Sequence, residues 1–127
     1  MNMCWYQFKI AEWISRCFGK EVFYDHEERG RRFIEEAVEL NQAIGVSKED
    51  ILRIVDHVYS RPVGDVFQEI GGVGITLLGL CQSVGYNFEA ATQTELDRVE
   101  ALPTLHFRKR HIAKAEAGIS MMPTGTE

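Results

Sequence analysis

The sequence is poor in the residues that staple or interrupt small folds, with three prolines and three cysteines in 127 residues. Cys4, Cys17 and Cys81 are odd in number and none has CxxC spacing, which excludes a disulfide framework or a zinc knuckle. They read as buried apolar thiols in a reducing cytosol. The four histidines, His26, His57, His106 and His111, show no ligand spacing and read as surface or capping residues. His26-Glu27-Glu28 is not HExxH, and no ExxH pair occurs, which disfavours a ferritin-like di-iron bundle. No GxxxxGK[ST] phosphate loop is present, and Gly72 with Gly74 does not complete GxGxxG. Positive charge is also scarce: 14 Lys and Arg against 19 Asp and Glu leave a net charge of −5. That balance makes a nucleic-acid partner held by bulk charge an unlikely one. The longest uncharged run, Ile70 to Phe88, carries several glycines and the polar Gln82, Ser83 and Asn87. Its apolar part ends near Cys81, short of the roughly 20 residues a membrane span needs. The opening MNMCWYQFKIAEW lacks the basic start and apolar run of a signal peptide. A cytoplasmic protein with no membrane partner is expected.

What is present is helical periodicity. The chain is 45% hydrophobic and 26% charged, an ordinary globular balance. Apolar residues from Cys4 to Phe18 recur at three- and four-residue spacing, and Gly19 ends that segment. A second helix is predicted from His26 to Ile44. Asp25 is its N-cap, Glu28 stands at capping-box spacing, and Phe33, Ala37, Leu40 and Ile44 form its stripe. Ser47 and Asp50 open a third, with Ile51, Ile54, Val55 and Val58 on its buried face, before Pro62 and Gly64 break it. A fourth runs from Asp65 to Val84 and is closed by Gly85. Its glycines lower helix propensity by about 1 kcal/mol each, which close approach of a neighbouring backbone would offset. That places it at the centre of the fold. A fifth spans Phe88 to Leu102, and after Pro103 a basic helix follows from Leu105 to Ala117. The expected fold is therefore all-α, an antiparallel bundle of four to five helices with short connections. Residues 1–117 form one domain in this reading, and 118–127 a frayed tail.

The informative run is Phe33-Ile34-Glu35-Glu36-Ala37-Val38-Glu39-Leu40. At 100° per residue, Glu36 and Glu39 lie about 60° apart on one face, bordering the apolar stripe. Glu35 lies further round and should be more exposed. In the fourth helix Glu69 is the acid of an otherwise uncharged body, with Asp65 one turn earlier. A glutamate among Val66, Val73, Leu77 and Leu80 is costly unless something pairs with it. If these helices pack together, Glu36, Glu39 and Glu69 converge, and a hard divalent cation, Mg²⁺ or Mn²⁺, would relieve their repulsion. The alternative is a solvated helix face on which Arg31 and Arg32 partner the glutamates.

EExxE on one helix, followed about thirty residues later by an acidic residue opening a long apolar helix, resembles the MazG-like, all-α nucleoside triphosphate pyrophosphohydrolases. That family carries ExxE on one helix and ExxD on the next but one. Glu36 and Glu39 match the first half, and Glu69 matches the glutamate of the second. The resemblance extends over roughly Arg29 to Lys114, through Gly85-Tyr86-Asn87-Phe88-Glu89 and the basic helix with Arg108, Lys109, Arg110 and Lys114. Arg61-Pro62-Val63-Gly64 with Gln68-Glu69-Ile70-Gly71-Gly72-Val73 is similar to a subgroup common in phages and prophages. At the ExxD aspartate the chain departs from the pattern and has Gly72. Asp65 is a candidate replacement.

The resemblance implies Mg²⁺-dependent hydrolysis of a nucleoside triphosphate between its α and β phosphates, giving a monophosphate and pyrophosphate. Glu36, Glu39 and Glu69 would be metal ligands and Glu35 the water-activating base. Arg32, Lys109 and Arg110 would steady phosphates. Trp5, Phe8 and Trp13 are candidates to stack a base, or simply core residues. A homo-oligomer, dimer or tetramer, is expected. Two other readings stay open: a catalytically degenerate relative that binds nucleotide or a protein, favoured by Gly72, and a small DNA-binding protein, favoured by His106-Phe107-Arg108-Lys109-Arg110-His111.

Overall fold

A computed structural model describes residues 2–120. The described residues are all-α, seven helices without a strand: α1 (Met3–Phe18), α2 (Lys20–Tyr24), α3 (His26–Ala43), α4 (Lys48–Tyr59), α5 (Val66–Val84), α6 (Phe88–Ala101) and α7 (Thr104–Glu116). The boundaries fall within about two residues of those the periodicity predicts. Only α2, a single short piece between Gly19 and Asp25, has no counterpart in the sequence reading. No helix among the described residues is long and apolar enough to cross a membrane. Of the expected tail, residues 118–120 are described, and 121–127 lie outside the described residues. The described residues divide into two compact units, one of residues 2–37 with 95–120 and the other of residues 38–94.

The first unit holds the core. Asn2 caps α1, its side chain accepting from Trp5 N at 3.0 Å. The helix then presents Tyr6, Ile14, Cys17 and Phe18 inward. At Gly19 the backbone turns to φ 92°, which glycine adopts without strain, and α2 starts at once. That turn brings Val22 in among Cys17, Phe18, Leu96, Val99 and Phe107, with Ile10, Trp13, Phe23 and Leu102 packed against them. Leu96 and Val99 come from α6, and Phe107 from α7, restarted after Pro103. Trp13 meets Phe18 and Phe107 edge to face, at ring separations of 5.9 and 5.0 Å, a favoured aromatic geometry. Arg108 Nη1 donates to the Cys17 carbonyl at 3.3 Å, so a cation from α7 caps the exposed carbonyl end of α1.

The second unit is ordered by its caps. Val46 N donates to the Asn41 carbonyl at 3.0 Å to close α3. Ser47 Oγ accepts from Asp50 N at 3.1 Å, as its capping pattern predicts, and Asp65 Oδ2 accepts from Gln68 N at 3.0 Å, which makes Asp65 the N-cap of α5. Gly85 at φ 80° takes the left-handed conformation that ends α5, with Tyr86 N bonded to the Cys81 carbonyl at 3.0 Å. Asn87 Oδ1 then caps α6 by accepting from Ala90 N at 2.8 Å.

Packing in this unit differs from the sequence expectation. None of residues 38–94 is buried, and Leu40, Ile44, Ile54, Val55, Val58 and Val73 are exposed, as is Phe33 of α3 in the first unit. Nothing lies within 4 Å of a Cβ built on Gly71, Gly72, Gly74 or Gly79, so no neighbouring backbone fills the space those glycines leave. The core is made by α1, α2, α6 and α7 instead of α5. Of the thiols, Cys17 is buried as expected, whereas Cys81 is only half-buried and Cys4 is exposed near the start of α1. Burial raises the pKa of Cys17, with Arg16 opposing.

This division of labour sets opposite costs for truncation. Leu96→Ala removes a core side chain that is 5% exposed and should cost roughly 2–5 kcal/mol in urea unfolding. Val63→Ala, at a fully exposed position, should change stability by no more than about 0.5 kcal/mol.

Candidate functional site

The site grows from the first two turns of α3. Asp25 Oδ1 accepts from Glu28 N at 2.9 Å, the expected cap. The Glu28 side chain turns inward and is 0% exposed. A buried carboxylate is tolerated only when charges and donors surround it. Arg31 Nη2 donates to its Oε2 at 3.0 Å, Arg32 Nε stands 3.3 Å from its Oε1, and Ser120 Oγ donates to the same oxygen. His111 Nε2 lies 4.0 Å from that oxygen and 3.2 Å from Ser120 Oγ. His111 itself is 4% exposed and packs against Phe18, with ring centroids 4.8 Å apart. It is thus neither a surface nor a capping residue, as the sequence reading had expected of every histidine.

Two turns beyond Glu28, Glu35 is half-buried between two cations. Lys114 Nζ donates to Oε1 at 2.8 Å and Arg32 Nη1 to Oε2 at 2.5 Å. The Lys114 hydrogen bond, opposed by partial burial and aided by the charges of Lys114, Arg32 and Arg110, holds its pKa below the ordinary carboxylate value. A carboxylate held so takes up a proton less readily, which weakens it as a base. Arg32 Nη2 donates to the Ile119 carbonyl.

These residues border a cavity of about 410 Å³ inside the first unit, a volume in the range of small-molecule sites. Helix α1 contributes Trp13, Ile14 and Phe18, and α3 contributes Arg29, Arg32, Phe33 and Glu36. From α6 come Glu95, Arg98 and Val99, and from α7 Phe107, Arg110, His111 and Lys114. Arg98 is joined to Glu95 by two hydrogen bonds, at 2.9 and 2.6 Å. These bonds, with the nearby charges of Glu95 and Glu36, raise the pKa of Arg98; the same bonds and the charge of Arg98, opposed by partial burial, lower that of Glu95. Burial lowers the pKa of Arg29, more than neighbouring Glu28 raises it.

Of the residues singled out in the sequence, Arg32, Arg110 and Glu36 line this cavity and Glu35 borders it through Lys114. Trp13 lines it too, as part of the aromatic packing. Lys109 is exposed and outside the lining, because α7 turns the stripe 107, 110, 111 and 114 inward. Glu39 is exposed in the second unit. Glu69 lies in the first turn of α5, exposed, its carboxylate folded against Gly64 in space that a Cβ there would fill. The positive end of the helix dipole favours an acid at that position, so burial in an oily helix is not what Glu69 has to withstand. Asp65 commits one carboxylate oxygen to the α5 cap. Among the described residues no group of three or more His, Cys, Asp or Glu side chains is gathered to hold a metal ion. Arg29, Arg98 and Lys114 were missed as site residues. Arg29, Arg32, Phe33 and Glu36 do fall at i, i+3, i+4 and i+7, a spacing that marks one helical face.

Compared with known proteins, the chain matches no family model, no curated protein and no solved structure.

The Glu35 ion pairs carry a pH signature. A carboxylate whose folded pKa is depressed contributes stability above its unfolded value of about 4.3. That contribution fades as pH falls through the lower folded value. Glu35→Gln should therefore cost up to roughly 1 kcal/mol at pH 7, a modest figure because the pair is part-exposed. Urea titrations of the two proteins should converge by about pH 3. An equal difference at both pH values would mean that packing, not charge, is what Glu35 supplies.

Proposed function

We propose that the protein is a cytoplasmic MazG-like nucleoside triphosphate pyrophosphohydrolase that uses Mg²⁺, or Mn²⁺ in its place, and works as a homo-oligomer. The observation that carries this reading is Glu36 on the rim of the cation-lined cavity: the same face of α3 that bears Arg29 and Arg32 ends in a carboxylate of the ExxE pair. A polyphosphate chain needs cations along its length, and Arg32, Arg110 and Lys114 supply them from two helices. Their electrostatic hold is stronger in a part-enclosed cavity than in open water. Arg32 and Lys114 also fix the orientation of Glu35. The metal expectation rests on the ExxE and Glu69 pattern of the sequence.

A second copy of the chain belongs to the proposal. Helices α4 and α5 bury no residue, and Val66, Phe67, Ile70, Val73, Ile75 and Leu78 of α5 are exposed. A helix that is apolar on all sides is stable in water only when covered. Association would also give the uncovered glycines the close backbone contact that offsets their cost.

The alternative, a degenerate relative that binds nucleotide without cleaving it, is favoured by Gly72 at the ExxD position. Incubation with each nucleoside triphosphate and Mg²⁺, with assay of released pyrophosphate, separates the two. Activity should appear with at least one nucleotide, and Glu36→Gln and Glu69→Gln should each reduce it by at least about tenfold. Nucleotide binding with no release under any condition would establish the alternative. Light scattering should give a mass that is a multiple of 14.5 kDa, and a monomer at micromolar concentration would rule out the assembly.

A further inference from the structure

The three cations offered to a polyphosphate are not equally available. Lys114 Nζ is engaged by Glu35 Oε1 at 2.8 Å and Arg32 Nη1 by Glu35 Oε2 at 2.5 Å, so both charged ends are turned to one carboxylate. Arg110 is exposed and makes no ion pair among the described residues, yet its charge also reaches Glu35. Arg32, Arg110 and Lys114 line the cavity, and Glu35 does not. The carboxylate therefore borders the cavity from behind its cations and draws two of them, from two helices, to itself.

Such a carboxylate does what a bound anion would do: it relieves the repulsion among cations crowded into a part-enclosed space. Its hold is weak. The side chains of Arg32, Glu35 and Lys114 are 18, 29 and 28% exposed, and ion pairs open to water contribute little. A phosphate chain brings more than one negative charge and oxygens that match a guanidinium in pairs. The Lys114 ammonium, on a flexible four-carbon stem, can follow such a ligand without movement of the backbone.

We propose that Glu35 is a displaceable counter-ion: it holds Lys114 and Arg32 until a phosphate chain enters the cavity, takes both cations and leaves the carboxylate to turn out to water. The proposal rests on the polyphosphate reading of the cavity and names how that site is regulated. Glu35 keeps the cations neutralised and in place beforehand, and it sets the affinity by competing for them. A singly charged anion offers no more than Glu35 already does and gains nothing by the exchange. A ligand of several charges gains the otherwise unpaired Arg110 as well.

The test is calorimetric titration of the full chain in EDTA with inorganic pyrophosphate, and with acetate as the singly charged counterpart. Pyrophosphate should bind saturably and acetate should not. Glu35→Gln should tighten pyrophosphate binding by about three- to tenfold. Glu27→Gln, at an exposed acid of the same helix paired with Arg31, should leave it unchanged. Lys114→Gln should weaken binding, and in that background the gain from Glu35→Gln should fall to about twofold or less, because the contested cation is gone. In a structure of the pyrophosphate complex, Lys114 and Arg32 should contact the ligand and Glu35 should contact neither. If Glu35→Gln disturbs the fold, that complex of the unaltered chain decides. No binding of pyrophosphate, weaker binding in Glu35→Gln, a gain undiminished by Lys114→Gln, acetate binding as tightly as pyrophosphate, or Glu35 still seated on Lys114 in the complex would each overturn the proposal. Exchange at Glu35 with no Mg²⁺-dependent hydrolysis of any nucleotide would sink the enzyme reading alone. Hydrolysis with Glu35 unmoved in the complex would sink this one alone.

Discussion

Much of the first unit hangs on a single buried negative charge. Glu28 gives up water entirely and receives Arg31, Arg32 and Ser120 in exchange, with His111 beside them. Removing one partner from such a cluster leaves the others buried and unpaired, which costs several times what an exposed ion pair contributes. The cluster therefore fixes the rotation of α3 about its axis and the depth of α7 against it. Everything in the cavity inherits that setting. Arg29 and Arg32 face inward because they are one and four residues beyond the anchored glutamate, and Lys114 meets Glu35 because His111, one turn earlier on α7, is anchored as well.

Local signals in the sequence were sufficient for the helices. The caps at Asn2, Asp25, Ser47, Asp65 and Asn87 act within three residues of themselves, and glycine or proline punctuates the ends. Such interactions depend on nothing distant, so they can be read directly. The short α2 escaped because five residues carry too little periodicity to register. Which apolar stripes are buried was less legible. The stripe of α4 is as regular as that of α1, and α5 is apolar around most of its surface, yet none of their residues is buried. Periodicity reports that a face wants cover and does not say what provides it.

The site was legible in part for a related reason. Arg32, Arg110, Glu35 and Glu36 were found through the ExxE run and the basic helix, and they do stand in or beside one cavity. Glu28 looked like half of a capping box and His111 like a surface residue, because their meeting spans 83 positions and involves no motif. Glu69 was placed among oily neighbours by counting along the helix. Its actual setting depends on where α5 begins, for a first-turn residue sees the open end of the helix and the loop before it.

The core-bearing unit is assembled from both ends of the chain, with residues 38–94 carried between them. During synthesis, Val22 and Phe18 must wait for more than seventy further residues before Leu96 and Phe107 emerge to cover them. Contacts so far apart in sequence form slowly, because a long loop must close before they repay its entropy. The helices in between rely on neighbours a few residues away and are free to form first. The nascent chain thus passes through a stage with finished helices and an unfinished core, in which Cys17 and the aromatic residues of α1 stand open to solvent and to other chains.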